Sequence, residues 1–219
     1  MKHRKMIFNI KNILIYISGS IIISFAVVMM KKSNLGLSSW DSLHFSLHAL
    51  TGISFGTAVI LVATVFLIFV TVMNKHIKYI LMFIPIIFVG YVIDIFDLYV
   101  FINFMPHDII IRILTYLVGL ILLPFGGSLL IISTFPAGVF DEAMLTFMRL
   151  FKTDKLVLVR SSMEVSAVIS AIIIGSIAGV GFGMVNVGTL IFSLSIGVLV
   201  KIYLKLFERI GLYEIEQIN

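Results

Sequence analysis

The sequence predicts an all-α integral membrane protein in which six transmembrane helices form a 3+3 inverted repeat. Hydrophobic residues make up 60% of the 219-residue chain and charged residues only 12%, and the mean hydropathy is +1.17. A soluble domain carries about twice that share of charged residues. The second observation is an internal repeat, because residues 12–50 recur at 112–150 without a gap. We treat residues 1–219 as a single membrane domain.

The repeat divides the chain into two halves. A Tyr-x-x-Gly pair and a single Asp occur in each copy, and the two acids are Asp41 and Asp141. Internal symmetry of this kind is typical of transport folds built from two halves. We place the first three-span repeat at 12–101 and the second at 110–207.

Six apolar segments are long enough to cross the hydrocarbon, which takes about 20 residues. They lie at about 12–31, 54–74, 77–101, 110–133, 157–179 and 185–207. The first follows four basic residues but exceeds the roughly 7–15 apolar residues of a signal peptide, so we expect a retained spanning helix. The segments 33–52 and 133–155 are too polar to span, and each should form a short amphipathic or re-entrant helix.

The basic residues favour an orientation with both termini in the cytoplasm. Thirteen of the sixteen Lys and Arg residues then lie on the cytoplasmic side, as the positive-inside rule requires. The exceptions are Lys31, Lys32 and Arg112. Three spans per half is an odd number, so the second half must enter the membrane upside down. The absence of cysteine excludes a disulfide or thiolate metal site and fits a bacterial inner membrane.

The first polar segment should form a short helix that carries Trp40 and Asp41. Ser38 or Ser39 is a suitable N-cap, Asp41 then lies in the first turn, where the helix dipole favours an acid, and Gly52 would end the helix. Two alternatives stay open. The helix could lie on the membrane surface with its acid in water, or it could be a half-helix whose Asp41 lines a polar cavity.

The second copy has Asp141 and Glu142 at the matching place. In the first copy Asp41, His44 and His48 have the i, i+3, i+7 spacing of metal ligands on one helix face. Histidine near a membrane interface is common, however, so we expect neither a metal site nor a cofactor.

Further polar residues stand in or beside the spans. Arg160 and Glu164 are four apart, share a helix face and can form either a structural salt bridge or part of a site. Asp94 lies one turn deeper than Asp97, which we expect to reach the interface and be solvated. Asn186 lies in a glycine-rich outer loop.

Several functional classes find no support in the sequence. It has no Ser-His-Asp set, paired-carboxylate hydrolase pattern or nucleotide-binding motif, so we expect no enzyme activity. The pI is near 9.5, but the basic residues lie at the ends of apolar runs rather than along a stripe. We therefore expect the lipid bilayer, and no nucleic acid, as a partner.

Short motifs along nearly the whole chain resemble the YitT/YczE family of bacterial multi-pass inner-membrane proteins. They are Leu35-Gly36, Trp40-Asp41-x-Leu43, the run 51–57, Val89-Gly90 before Asp94, Gly138-x-x-Asp141, Arg160-x-x-x-Glu164 and Val187-Gly188-Thr189-Leu190. The resemblance implies an inner-membrane protein for which transport is the usual expectation. The chain departs from the pattern at Pro136 and Phe140, and at Lys155-Leu156, which replaces the glycine matching Gly56.

The sequence favours a secondary transporter or exporter of a small solute, coupled to a proton or cation. The candidate solute- or ion-binding residues are Asp41, Asp141, Trp40, Glu142, Glu164, Arg160, Asp94 and Asn186. Two alternatives remain: the substrate-binding subunit of a multi-component importer, and a non-transporting accessory protein with a protein partner. A homo-oligomer is compatible with each of them.

Overall fold

The computed structural model describes residues 9–133, 135 and 138–212, apart from the side chain of Lys78. The regular elements of this part are all helical. They are α1 (Ile10–Ser33), α2 (Ser39–Thr51), α3 (Phe55–Asn74), α4 (Phe83–Ile95), α5 (Ile109–Ile132), α6 (Val139–Leu150), α7 (Leu156–Ile177) and α8 (Val187–Arg209). A 3₁₀ segment, Ile77–Met82, precedes α4, and a π-helical segment, Phe96–Val100, follows it. Pro136 and both chain termini lie outside the described residues.

Six segments are long and apolar enough to cross a membrane, which confirms the prediction of a multi-pass membrane protein. They are α1, α3, Tyr79–Val100, α5, α7 and α8. Local sequence sets several of the boundaries. Ser38, one of the two predicted caps, accepts the N–H of Asp41, and Gly52 ends α2 with a φ of 73°, as predicted.

Helices α1 and α5 pack closely along their lengths, at positions without large side chains. A Cβ atom added to Gly19 would lie 2.9 Å from the carbonyl oxygen of Gly126, and one added to Gly126 would lie 2.8 Å from that of Gly19. A Cβ on Gly119 would lie 2.7 Å from the carbonyl oxygen of Ala26. The start of each helix thus meets the end of the other, so α1 and α5 are antiparallel.

The residues that end α1 and follow α5 make the same local hydrogen bonds. The hydroxyl of Ser33 donates to the carbonyl three residues back at 2.6 Å and accepts the N–H two residues ahead at 3.3 Å. Ser133 makes the same two bonds at 2.7 and 3.4 Å. Both serines are fully buried. The sequence repeat is therefore matched by a repeated turn.

Asp94 joins the third span to the beginning of α3. Its carboxylate accepts the N–H of Gly56 at 2.7 Å and the hydroxyl of Ser54. Gly90 lies directly against Gly56, since a Cβ atom on Gly56 would lie 2.0 Å from the Gly90 carbonyl oxygen. Asp94 therefore caps a helix from a neighbouring span.

The expectation that Asp97 is solvated is wrong. Its side chain is 4% exposed and forms ion pairs with Lys31 and Lys32. The π-helical segment Phe96–Val100 contains Asp97, and the two lysines lie in the last turn of α1. Burial of the carboxylate is explained by these two ammonium groups, which sequence analysis had identified only as exceptions to the positive-inside pattern.

The two short helices pack against spans of the opposite half: α2 lies against α7, and α6 lies against α3. Ser42 and Ser46 lie on one face of α2 and His44 lies on nearly the opposite face, and all three side chains are buried. A surface helix with one face in water therefore does not describe α2, because polar residues on both faces lie in the protein interior.

The two halves differ in how their third and fourth helices pack. Helices α3 and α4 pack together, whereas α7 and α8, both fully described, are at most marginally in contact. Leu156 stands where the first half has Gly56, and Gly197 of α8 has no neighbour within 4 Å of an added Cβ. The bulk of Leu156 explains why the close approach seen at Gly56 is not reproduced.

Candidate functional site

The chain reaches the start of α2 through an extended segment fixed to the beginning of α8. Leu37 donates its N–H to the carbonyl of Met184 at 3.2 Å, and Gly188 donates to that of Leu35 at 2.9 Å. Gly36 has a φ of 139°, and a Cβ there would lie 2.6 Å from the backbone nitrogen of Thr189. Only glycine fits this backbone and this spacing.

Helices α2 and α6 begin at the same place in the molecule. The rings of Trp40 and Phe140 stack with their centroids 4.3 Å apart and their planes at 20°. Phe66 of α3 lies edge-on to both, at 5.1 and 5.2 Å. Trp40 and Phe140 are equivalent positions of the sequence repeat, so the repeat brings its own two copies into contact.

An acid follows each of these two rings. Asp41 has a side chain that is 14% exposed, lies 3.4 Å from the Nδ1 atom of His44, and accepts the hydroxyl of Ser38. Asp141 is more open, with 51% of its side chain exposed, and lies 3.9 Å from the guanidinium of Arg160. The equivalent carboxylates therefore have different environments.

His44 is the least expected member of this group. Its side chain is 2% exposed, and neither ring nitrogen has a hydrogen-bond partner among the described residues. The ring lies 6.1 Å from that of Phe140. The hydroxyls of Ser42 and Ser46 are likewise buried without a described partner. A buried polar group in this state is costly, so it commonly marks a place for water or a ligand.

A cleft of about 450 Å³ leads from the turn after α6 to Trp40. Aromatic and apolar side chains from α3, α6 and α7 form its walls, together with three hydroxyl groups. The lining residues used below are Trp40, Phe66, Phe147, Phe151, Met163 and Ser166. No ionisable side chain is among those that line it.

The remaining candidates are distributed around this centre or away from it. Of the two alternatives for Arg160 and Glu164, the salt bridge does not form, because Arg160 faces Asp141 instead. Glu142 and Glu164 are partly buried. Asp94 caps α3, as described above, and Asn186 caps α8 in a reciprocal arrangement with Thr189.

Asp41, His44 and His48 do not form the metal-binding group that their spacing suggests. His48 is instead hydrogen-bonded to the carbonyl of Ile53. Among the described residues, no three His or acidic side chains are placed to hold a metal ion.

Sequence analysis did not predict Phe66 or the other phenylalanines that line the cleft, because a phenylalanine in an apolar segment is not distinguished by its neighbours in the chain. The repeat itself could have identified the contact between Trp40 and Phe140, since related halves often meet at equivalent positions.

Residues 10–205, most of the chain, match the model of a family of unknown function, DUF6198, and the chain belongs to that family. No curated protein and no solved structure matches it.

Proposed function

We propose that this member of the DUF6198 family is a secondary transporter or exporter of a small solute. One observation carries the proposal: two short helices from equivalent places in the sequence begin against each other, at Trp40 and Phe140, and each has an acid in its first turn. Helix starts of this kind form solute and ion sites in transporters built from inverted repeats.

Matched contacts support the inverted repeat. Gly19 meets Gly126 while Gly119 meets Ala26, which is nearly the same contact with the halves exchanged. Because α1 and α5 are antiparallel, a two-fold axis perpendicular to them relates these contacts. Helices α2 and α6 also make equivalent contacts with the halves exchanged, since each packs against the third helix of the other half.

The contacts of α2 and α6 also support re-entry into the membrane. Phe66, near the middle of the spanning helix α3, touches the rings at the start of both helices. Thr146, further along α6, accepts a hydrogen bond at 2.8 Å from Asn74, the last residue of α3. Thus α6 runs from the middle of the span toward one face. Non-helical backbone at such depth must be buried in protein or face water.

In this mechanism Asp41 and Asp141 bind or release a proton or cation as the solute moves. Each helix start contributes roughly half a positive charge, which favours the ionised carboxylate, while the membrane interior disfavours it. A ligand that changes this balance can drive the exchange between two states. Kinship with the YitT/YczE family is part of the proposal and rests on the motifs around the two acids.

The transport activity can be tested with proteoliposomes that contain a trapped pH dye. Pulses of amines, amino acids and organic acids should reveal at least one class that moves protons. We expect the Asp41→Asn/Asp141→Asn variant to lose that movement by about tenfold or more, since the coupling carboxylates are gone. Asp108→Asn, which changes an exposed helix cap outside the site, is the control. Proton-coupled transport is contradicted if no solute class moves protons, or if the Asp41→Asn/Asp141→Asn variant moves them as fast as the Asp108→Asn control does.

We further propose a bacterial inner-membrane location with both termini in the cytoplasm. The chain has no cysteine, so single cysteines report position without background. His107→Cys, between the third and fourth spans, should react with a membrane-impermeant maleimide on spheroplasts, whereas Asp154→Cys, after α6, should react only after lysis. The reverse pattern contradicts the orientation.

A second candidate function is that of an accessory or importer subunit. The gap between α7 and α8 favours it, because Leu194, with 81% of its surface exposed, and Gly197 leave apolar helix surface without a neighbour among the described residues. Purification in mild detergent should then yield a stable complex with another membrane protein and no flux from the chain alone.

A further inference from the structure

We infer that the site at the start of α2 and α6 takes an amphipathic organic cation. Its aromatic or apolar body would lie in the cleft, and its positive group would lie beside Asp41 and Asp141. This inference rests on the proposed transport function and gives it a substrate class.

Charge is the first argument. α2, the first turn of α6 and the whole of α7 contain four carboxylates and a single guanidinium, that of Arg160; the carboxylates belong to Asp41, Asp141, Glu142 and Glu164. Helix α3, which completes the surroundings, has no charged residue. The two helix starts together offset about one negative charge. Negative charge therefore remains, and a cation complements it.

His44 provides an independent indication of a ligand. It is almost wholly buried, and its two ring nitrogens lack hydrogen-bond partners among the described residues. The Nδ1 atom lies 3.4 Å from the carboxylate of Asp41, and the ring lies 6.1 Å from that of Phe140. A neutral imidazole can accept a hydrogen bond from an ammonium group or a water. Its position beside Asp41 suits the head of a cationic ligand.

The cleft determines the kind of cation. Its volume of about 450 Å³ lies within the range of small-molecule sites, about 300–1,000 Å³, and exceeds what a proton or metal ion requires. Trp40, Phe66 and Phe147 offer aromatic faces, which attract cations and stack with flat apolar groups. The uncharged lining suits the body of the ligand. Trp40, at one end of the cleft, is followed directly by Asp41, whose carboxylate suits the positive head.

Trp40 is the single tryptophan of the chain, so its fluorescence reports on this site alone. The probes are N-methyl-4-phenylpyridinium and 4-phenylbenzoate, which share a two-ring body and carry opposite charges. In detergent, the cation should produce a saturable change in Trp40 emission and a rise in melting temperature. The anion should produce neither at the same concentration.

Matched variants separate the contributions of charge and ring. Asp41→Asn/Asp141→Asn should weaken binding of the cation by about tenfold or more, and Phe140→Leu by several-fold. Asp108→Asn and Phe125→Leu change an acid and a ring outside the site, and should bind as the parent does. If the double aspartate variant melts without cooperativity, the single substitution Asp141→Asn replaces it. The side chain of Asp141 is half exposed, so this substitution should not disturb folding.

Equal binding of the two probes, or binding of the cation unchanged in the aspartate variants, overturns the substrate class. A different result contradicts the transport proposal. If the cation binds but moves no protons in proteoliposomes, the cation site is supported and the transport function is contradicted. If another solute moves protons in an aspartate-dependent way while the cation does not bind, transport stands and the cation assignment fails.

Discussion

Gly56→Ala should destabilise the protein by about 3 kcal/mol, near the upper end of the usual cost of overpacking. The added Cβ would lie 2.0 Å from the carbonyl oxygen of Gly90 and 2.7 Å from the carboxylate of Asp94. Backbone cannot rotate away as a side chain can, so α3 and the third span must separate. Unfolding in detergent, followed by far-ultraviolet circular dichroism against denaturant, measures the loss.

Gly197→Ala is the matched control, because Gly197 is also helical and has no atom within 4 Å of an added Cβ. Alanine there should stabilise the protein by about 0.5–1 kcal/mol, since glycine is the poorer helix former. Equal effects of the two substitutions would contradict the close packing of α3 on the third span.

Asp97→Asn should cost about 3–5 kcal/mol, as does removal of one partner from a buried ion pair. Lys31 and Lys32, with side chains 14% and 12% exposed, would then keep their charges without a counter-ion. The same denaturant titration measures the effect. Asp108→Asn should be nearly neutral, because asparagine caps a helix about as well as aspartate.

A double substitution identifies the cause of this loss. Adding Lys31→Met to Asp97→Asn should recover part of the stability, because one uncompensated charge is removed. If Asp97→Asn alone falls within about 1 kcal/mol of the parent, the lysines reach water and the ion pair contributes as little as a surface pair does.

Much of the fold follows from the sequence. Segment length and hydropathy locate all six candidate spans, and polar or glycine residues locate the ends of α2. These features depend on residues close together in the chain, which is why local patterns suffice. In the glycine-rich segment before Asn186, Gly179, Gly181 and Gly183 have positive φ angles.

The sequence predicted eight candidate site residues, and three of them, Trp40, Asp41 and Asp141, lie at the starts of α2 and α6. It could not assign the partners of the acids. Arg160 has Glu164 one turn away and could have paired with it, yet the approach of α6 brings Asp141 closer. Similarly, Asp97 looked solvated because its partners lie 65 and 66 positions earlier.

By itself the sequence determined that this chain has six apolar spans, two short polar helices and one acid at the same place in each. Hydrophobic length and helix capping are local, so they can be read along the chain. Only the tertiary structure decided that Trp40 stacks on Phe140, that Asp94 caps α3 and that two lysines neutralise Asp97. Those contacts join residues from 38 to 100 positions apart, and packing between helices, rather than any neighbouring residue, selects the partner.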